Sequence, residues 1–134
     1  EVAARTGLAD VQLDVLDLGV GLPAHRGSVA ILDVLQYLSH ERQRALLDEV
    51  IAMLAPGALL VIRSGLADGS TRSRTSRITD RLANFAGWMQ ERARCYPTAD
   101  GLRTQLEGAG LATTLRPLYG DTPFNNWLIV GRRT

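Results

Sequence analysis

The clearest patterning lies between residues 28 and 65. Val29–Leu32 is a continuous apolar run, β-branched in part and too short for a free-standing helix. Such a run predicts a strand buried on both faces. Asp33 closes it, and Ser39 is placed to cap a helix that begins at His40. Leu46, Leu47, Val50, Ile51 and Leu54 share one face of that helix, while Glu41, Arg44, Asp48 and Glu49 lie mostly off it. Pro56 and Gly57 stop it. A second apolar run, residues 58–62, then ends at Arg63, Ser64 and Gly65. Strand, helix, strand predicts a parallel crossover and therefore an α/β sheet, with ligands at the carboxyl ends of its strands. Residues 33–37 and 63–65 occupy two such adjacent ends.

The flanking sequence is weaker in signal. Residues 1–8 read as the end of a helix stopped by Gly7. Residues 11–18 alternate, with Val11, Leu13 and Val15 against Gln12, Asp14 and Leu16, which predicts a strand with one wetter face or near a sheet edge. Asp17 closes it, and a loop follows through Gly19, Gly21 and Pro23. Beyond a polar, turn-rich stretch after Gly65, a helix is predicted over about residues 75–92. Ile78, Leu82, Phe85 and Met89 form its apolar stripe, and Arg74, Arg77 and Arg81 lie along another face. Cys95, Tyr96 and Pro97 break the chain. Thr98 caps a short helix with Leu102 and Leu106 inward, ended by Gly108 and Gly110. Residues 111–119 read as a strand that Pro117 confines to an edge or a bulge. Residues 121–126 form a loop, and residues 127–130 a last strand before a basic tail.

The string ILDVLQYLSHERQRALLDEVIAMLAPGALLVIRSG resembles the fourth strand, following helix and fifth strand of class I S-adenosylmethionine-dependent methyltransferases. An apolar strand ends in Asp, then Leu and an aromatic residue follow, and a helix closes in Leu-x-Pro-Gly. The closing series, with Leu-x-x-x-Leu-x-x-Ala-Gly-Leu and then Asn-Asn-Trp-Leu-Ile-Val, is similar to the end of the same family, where the final strand inserts antiparallel beside the fifth. The resemblance implies a Rossmann-like α/β sheet, mostly parallel with an antiparallel last strand. The first two strands, with the glycine-rich loop and the ribose-binding acid, have no counterpart. Residues 11–18 then fit the family's third strand, which ends in Asp followed shortly by Leu-Pro. The competing reading makes Gly19 and Gly21 the glycine-rich loop itself, but only a short loop separates them from Val29. We expect a single partial methyltransferase domain over residues 1–134, a piece of a longer protein, inactive by itself.

Composition adds limits. Hydrophobic content of 46% and charged content of 22% describe a globular chain. A net charge of +1 gives no whole-molecule drive toward nucleic acid or anionic membrane, and neither is expected as a partner. All 15 basic residues are arginine, so no lysine can act as base or nucleophile. Cys95 is the only cysteine, which excludes an internal disulfide and suggests a reducing, cytoplasmic compartment. Two histidines, His25 and His40, are too few for a metal site of standard spacing beside that cysteine. No apolar stretch reaches the length of a membrane span.

Methyl transfer from a sulfonium is an in-line displacement needing alignment, desolvation and, for poor nucleophiles, proton removal. By resemblance the cofactor is S-adenosylmethionine and the substrate a small molecule, plausibly lipid-like or acyl-type. Asp17 would accept the adenine amino group, and Leu18 would offer its backbone amide to the ring. Asp33, Val34 and Leu35 would wall the pocket near the transferred methyl. The plainer readings are an Asp17 that caps its own loop and an Asp33 that serves as a helix N-terminal charge. Relatives often carry His after this Leu. Gln36 stands there instead, which puts a general base at this position in doubt. His40 is the best proton acceptor by chemistry, against the plainer reading of a surface histidine. Tyr37, Arg63, Arg72 and Asn125 are the candidates on the substrate side. The alternatives are a packed Tyr37, a solvated arginine face and an Asn125 that satisfies loop backbone. A rival function is a non-enzymatic α/β domain that binds anions or nucleic acid through the helix carrying Arg72 to Arg81. Finally, losing the first two strands would leave Val29–Leu32 with an open edge, so a homodimer through that edge, or by strand exchange, is expected.

Overall fold

A computed structural model describes residues 10–67, 95–121 and 125–134. The helix expected over residues 75–92, with Arg72, Arg74, Arg77 and Arg81, and the helix end before Leu8 lie outside the described residues.

The elements between Val29 and Gly65 follow the apolar pattern. Strand β1 (Val29–Leu32) leads through a 3₁₀ turn (Leu35–Tyr37) to helix α1 (His40–Met53) and strand β2 (Leu59–Gly65). Ser39 caps α1, its hydroxyl accepting from the Arg42 amide at 3.3 Å. Gly57 takes the left-handed conformation (φ +76°) in the turn after the helix, open to glycine at no steric cost. The second half supplies helix α2 (Ala99–Gly108) and strands β3 (Leu111–Pro117) and β4 (Asn126–Arg133). Thr98 caps α2 through the Gly101 amide at 3.1 Å.

Among the described residues the strands form one sheet in the order β1-β2-β4-β3. β1 and β2 are parallel, and β4 runs antiparallel between β2 and β3. β3 is therefore an edge strand, one of the two outcomes expected from Pro117, which cannot donate to a ladder and closes the strand instead of interrupting a run to residue 119. The last strand is longer than predicted because the basic pair belongs to it. Arg133 is tied to Ala58 and Gly57 by backbone bonds of 3.0 and 2.9 Å, and its Nη1 donates to the Ile51 carbonyl in the last turn of α1. That carbonyl also accepts from the Leu54 amide at 3.2 Å, so the arginine adds a second bond at the helix end.

Register places Ile31, Ile62 and Ile129 in one row, with Leu60 and Leu111 on the same face. All are buried, together with Leu46, Leu47, Val50 and Ile51 of α1 and Leu102 and Leu106 of α2. Both helices thus cover the same face. The opposite face carries Ala30, Leu32, Leu59, Arg63, Ala112, Thr114 and Arg132, all exposed.

Two expectations need correction. β1 is not buried on both faces: Ile31 is buried, but Leu32 on the other face is 53% exposed. Residues 11–17 form no strand, and Val15 is fully exposed. A strand requires a partner ladder, and in the order the resemblance implies a third strand pairs with the second, which has no counterpart here. Instead Gln12 donates to Asp14 at 2.8 Å within the segment. The edge of β1 away from β2 has no strand partner among the described residues.

Candidate functional site

The carboxyl ends of β1 and β2 gather most of the candidate residues. Asp33 ends β1 in the left-handed region (φ +57°), a conformation uncommon outside glycine. Its amide donates to the Arg63 carbonyl at 2.9 Å, and its carboxylate pairs with the Arg63 guanidinium. The Asp33 hydrogen bond, and secondly its charge, raise the Arg63 pKa above its ordinary value. Both side chains remain partly exposed, so the pair is a surface feature that links adjacent strand ends. Asp33 does not sit at a helix N-terminus, since the next turn begins at Leu35.

Behind this pair lies a buried polar cluster. Gln36 and Ser64 are 9% and 0% exposed, and their side chains meet at 3.3 Å. Gln43, 4% exposed, donates through Nε2 to the carbonyls of Leu35 (2.8 Å), Leu38 (3.1 Å) and Cys95 (2.7 Å). The Cys95 amide returns a bond to the Gln36 carbonyl at 3.2 Å. Gln43 therefore clamps the 3₁₀ turn to the segment before α2. That segment crosses the end of β2, where Tyr96 packs over Gly65 so closely that a Cβ there would lie 2.9 Å from its ring. Gly65 is required by this approach.

Asp17 and Leu18 reach the same region from the other side of β1. Asp17 Oδ1 accepts from the Gly19 amide at 2.7 Å and its carbonyl from Val20 at 2.9 Å, so the carboxylate caps its own loop. Its second oxygen has no partner among the described residues. Arg42 donates to the Leu18 carbonyl at 2.7 Å and fixes the loop on α1. Leu18, Leu32 and Val34 border one apolar cavity of about 280 Å³, which extends along β1 to Val29, Leu46 and Val50. Its lining is almost wholly apolar, with His25 the one titratable side chain in it.

The remaining candidates are placed differently. Leu35 is buried in the core and Tyr37 is half-buried beside it. His40 is exposed and opens into a groove of about 420 Å³ between α1 and α2, with Arg44, Pro97, Thr98 and Gln105. It is not brought to the strand ends. Asn125 is 1% exposed; its Nδ2 donates to the Leu66 carbonyl at 2.6 Å and its Oδ1 accepts from Trp127 Nε1 at 2.9 Å. Of its two readings, loop satisfaction is the one the geometry supports. Arg72 lies outside the described residues. The clamp at Gln43 was missed, although the sequence carried a sign of it. Position 43 falls on the apolar face of α1, one turn before Leu46 and Leu47, where a polar side chain needs buried partners.

No family model matches the chain, and no curated protein sequence matches it. Solved structures do. An O-methyltransferase family protein from Burkholderia thailandensis aligns at TM-score 0.63 and 17% identity, over 99% of this chain and 40% of its own. An O-methyltransferase family 2 protein from Planctomyces limnophilus, in complex with apigenin, gives 0.63 and 21% over 99% and 39%. The N-methyltransferase NodS from Bradyrhizobium japonicum, in complex with S-adenosylhomocysteine, gives 0.63 and 20% over 98% and 59%. The chain has the class I methyltransferase fold in part. It spans between about two fifths and three fifths of the length of these structures.

Proposed function

We propose that this chain is the acceptor-side, carboxyl-terminal part of an S-adenosylmethionine-dependent methyltransferase that acts on a small, lipid-like or acyl-type molecule. The observation that carries this reading is the sheet: β4 inserted antiparallel between β2 and β3, beside a parallel β1-β2 unit whose ends collect polar residues. Structures of the same fold hold S-adenosylhomocysteine or a small aromatic molecule. The cavity beside β1 fits the adenine end of the cofactor. Leu18 and Val34 would contact the ring, Asp17 would accept from its amino group through the oxygen not used by Gly19, and Asp33 would stand toward the methyl group, with Leu35 packed in the core behind it. Arg63 and Tyr37 stand on the acceptor side. When bound, the cofactor supplies an electrophilic methyl group. These residues would align the acceptor with it and exclude water, and such positioning can supply a large part of the rate enhancement.

The reading is tested by incubating the full-length protein with methyl-labelled S-adenosylmethionine and a small-molecule extract, and expects label in an acceptor. The rival, an anion- or nucleic-acid-binding domain, instead expects nucleic-acid affinity that falls steeply with salt.

Produced by itself, the 134-residue chain is expected to self-associate through β1. Among the described residues its outer edge has no strand partner, Leu32 is half exposed, and the alternating residues Val11, Leu13 and Val15 are exposed and in no strand. An edge of that kind takes up a strand from a second copy. Light scattering over a dilution series should show dimer giving way to monomer. A monomer at every concentration, with slow amide exchange through β1, would refute this.

A further inference from the structure

We infer that Gln43 is a positioning residue for methyl transfer: it sets the spacing between the turn after β1 and the segment that crosses the end of β2. This rests on the methyltransferase reading above. Gln43 stands on α1, 4% exposed, and acts only through other residues. Its Nε2 lies 2.8, 3.1 and 2.7 Å from the carbonyl oxygens of Leu35, Leu38 and Cys95. Turning the amide over would set its own oxygen against all three, so its orientation is fixed. Leu35 and Leu38 are the two ends of the 3₁₀ turn. Cys95 is tied to that turn a second time, since its amide donates to the Gln36 carbonyl at 3.2 Å. Two residues on, the Pro97 carbonyl accepts from the Ala67 amide at 2.9 Å, and Tyr96 between them packs on Gly65. The segment is thus held to the end of β2 on one side and, through Gln43, to the turn after β1 on the other.

These two pieces border neighbouring strand ends, where a sheet of this kind takes its ligands. Asp33 and Val34 lead into the turn, on the side proposed for the cofactor. Arg63 and Gly65 end β2, with Arg63 on the side proposed for the acceptor. The adenine side is anchored separately. Arg42, the residue before Gln43, donates to the Leu18 carbonyl at 2.7 Å, and that contact does not pass through the clamp. Removing the Gln43 bonds therefore loosens the spacing between the two sides and leaves the cofactor's anchoring loop in place. An in-line displacement needs its reacting atoms about 3–3.5 Å apart and aligned, and a misplacement of about 1 Å costs on the order of a hundredfold. The loss then falls on kcat at saturating cofactor, with cofactor affinity retained.

The test uses the full-length protein, methyl-labelled S-adenosylmethionine and the acceptor that takes up label from the extract. Gln43→Met keeps the side-chain volume and removes the bonds. At a temperature where it is folded, it should lower kcat by about tenfold to a hundredfold, with Kd for S-adenosylhomocysteine within about twofold. Leu111→Ala controls for lost stability. Leu111 is 3% exposed and pairs with Arg133 at the opposite end of the sheet, so the variant is destabilised but should keep its kcat. Gly65→Ala moves the same segment from the β2 side, because a Cβ there would lie 2.9 Å from the Tyr96 ring. It too should lower kcat without weakening S-adenosylhomocysteine, and it decides the matter if Gln43→Met does not fold. Full kcat in folded Gln43→Met, a loss no larger than that of Leu111→Ala, or affinity falling in step with kcat overturns this inference. So does full kcat in Gly65→Ala where Gln43→Met does not fold. Each of these leaves the methyltransferase reading standing. No transfer and no cofactor binding in the unaltered protein overturns both.

Discussion

Replacing Ile62 with alanine is expected to destabilise the protein by about 3–5 kcal/mol, the range for large-to-small changes at well-packed sites. Ile62 is fully buried in β2, in register with Ile31 on one side and Ile129 on the other. It therefore joins the parallel unit to the antiparallel one, and its removal leaves a cavity beneath both helices that neighbours on regular strands cannot collapse to fill. Ile62→Val, which deletes one methyl group, should cost only about 1 kcal/mol. Urea denaturation of both variants measures the difference. Equal, small losses would mean that the sheet centre is not the packed core described here.

Gln43→Ala is expected to cost about 2–4 kcal/mol, for a different reason. The part-buried carbonyls of Leu38 and Cys95 lose the donor that serves them, at up to about 1–3 kcal/mol each where water does not replace it. The Leu35 carbonyl suffers less because it also accepts from the Leu38 amide. Gln43→Met keeps the volume of the side chain and removes only the hydrogen bonds, so it should lose nearly as much. Amide exchange gives the second readout. The Cys95 amide, bound to Gln36, should lose protection in both variants before α1 or the sheet does. Unchanged protection at Cys95 would show that the segment before α2 is held by something other than this clamp.

These two residues also mark what could be seen in the sequence. The unit from Val29 to Gly65 was legible because several signals agree there: a capping serine, an apolar stripe at helical spacing, a Pro-Gly stop and two apolar runs. Pro117 allowed either an edge or a bulge for β3, and the sheet order makes it an edge. Residues 11–18 misled because alternation tells which side of a strand would be buried, and says nothing about whether a neighbouring strand exists to pair with it. β1 misled for the same reason, since an apolar run does not show that both of its faces are covered. The site was legible as a place, the two strand ends, more than as a set of contacts. The Asp33–Arg63 pair depends on the β1-β2 register, which sets Leu32 opposite Arg63. Gln43 reaches Cys95 across 52 positions, and Asn125 reaches Leu66 across 59, distances that local patterning does not span. His40 looked chemically apt but points into the groove between the helices, a matter of helix rotation that the N-cap alone does not convey.

The central claim is that these residues form the acceptor side of a methyltransferase, and the most direct measurement is cofactor-dependent methyl transfer. The full-length protein, given methyl-labelled S-adenosylmethionine and a small-molecule extract, should pass label to a product, and S-adenosylhomocysteine should suppress the reaction. The 134-residue chain by itself should bind the cofactor weakly, since a glycine-rich loop and a ribose-binding acid have no counterpart in it. Absence of transfer and of cofactor binding in the full-length protein, together with salt-sensitive binding of nucleic acid, would contradict the account.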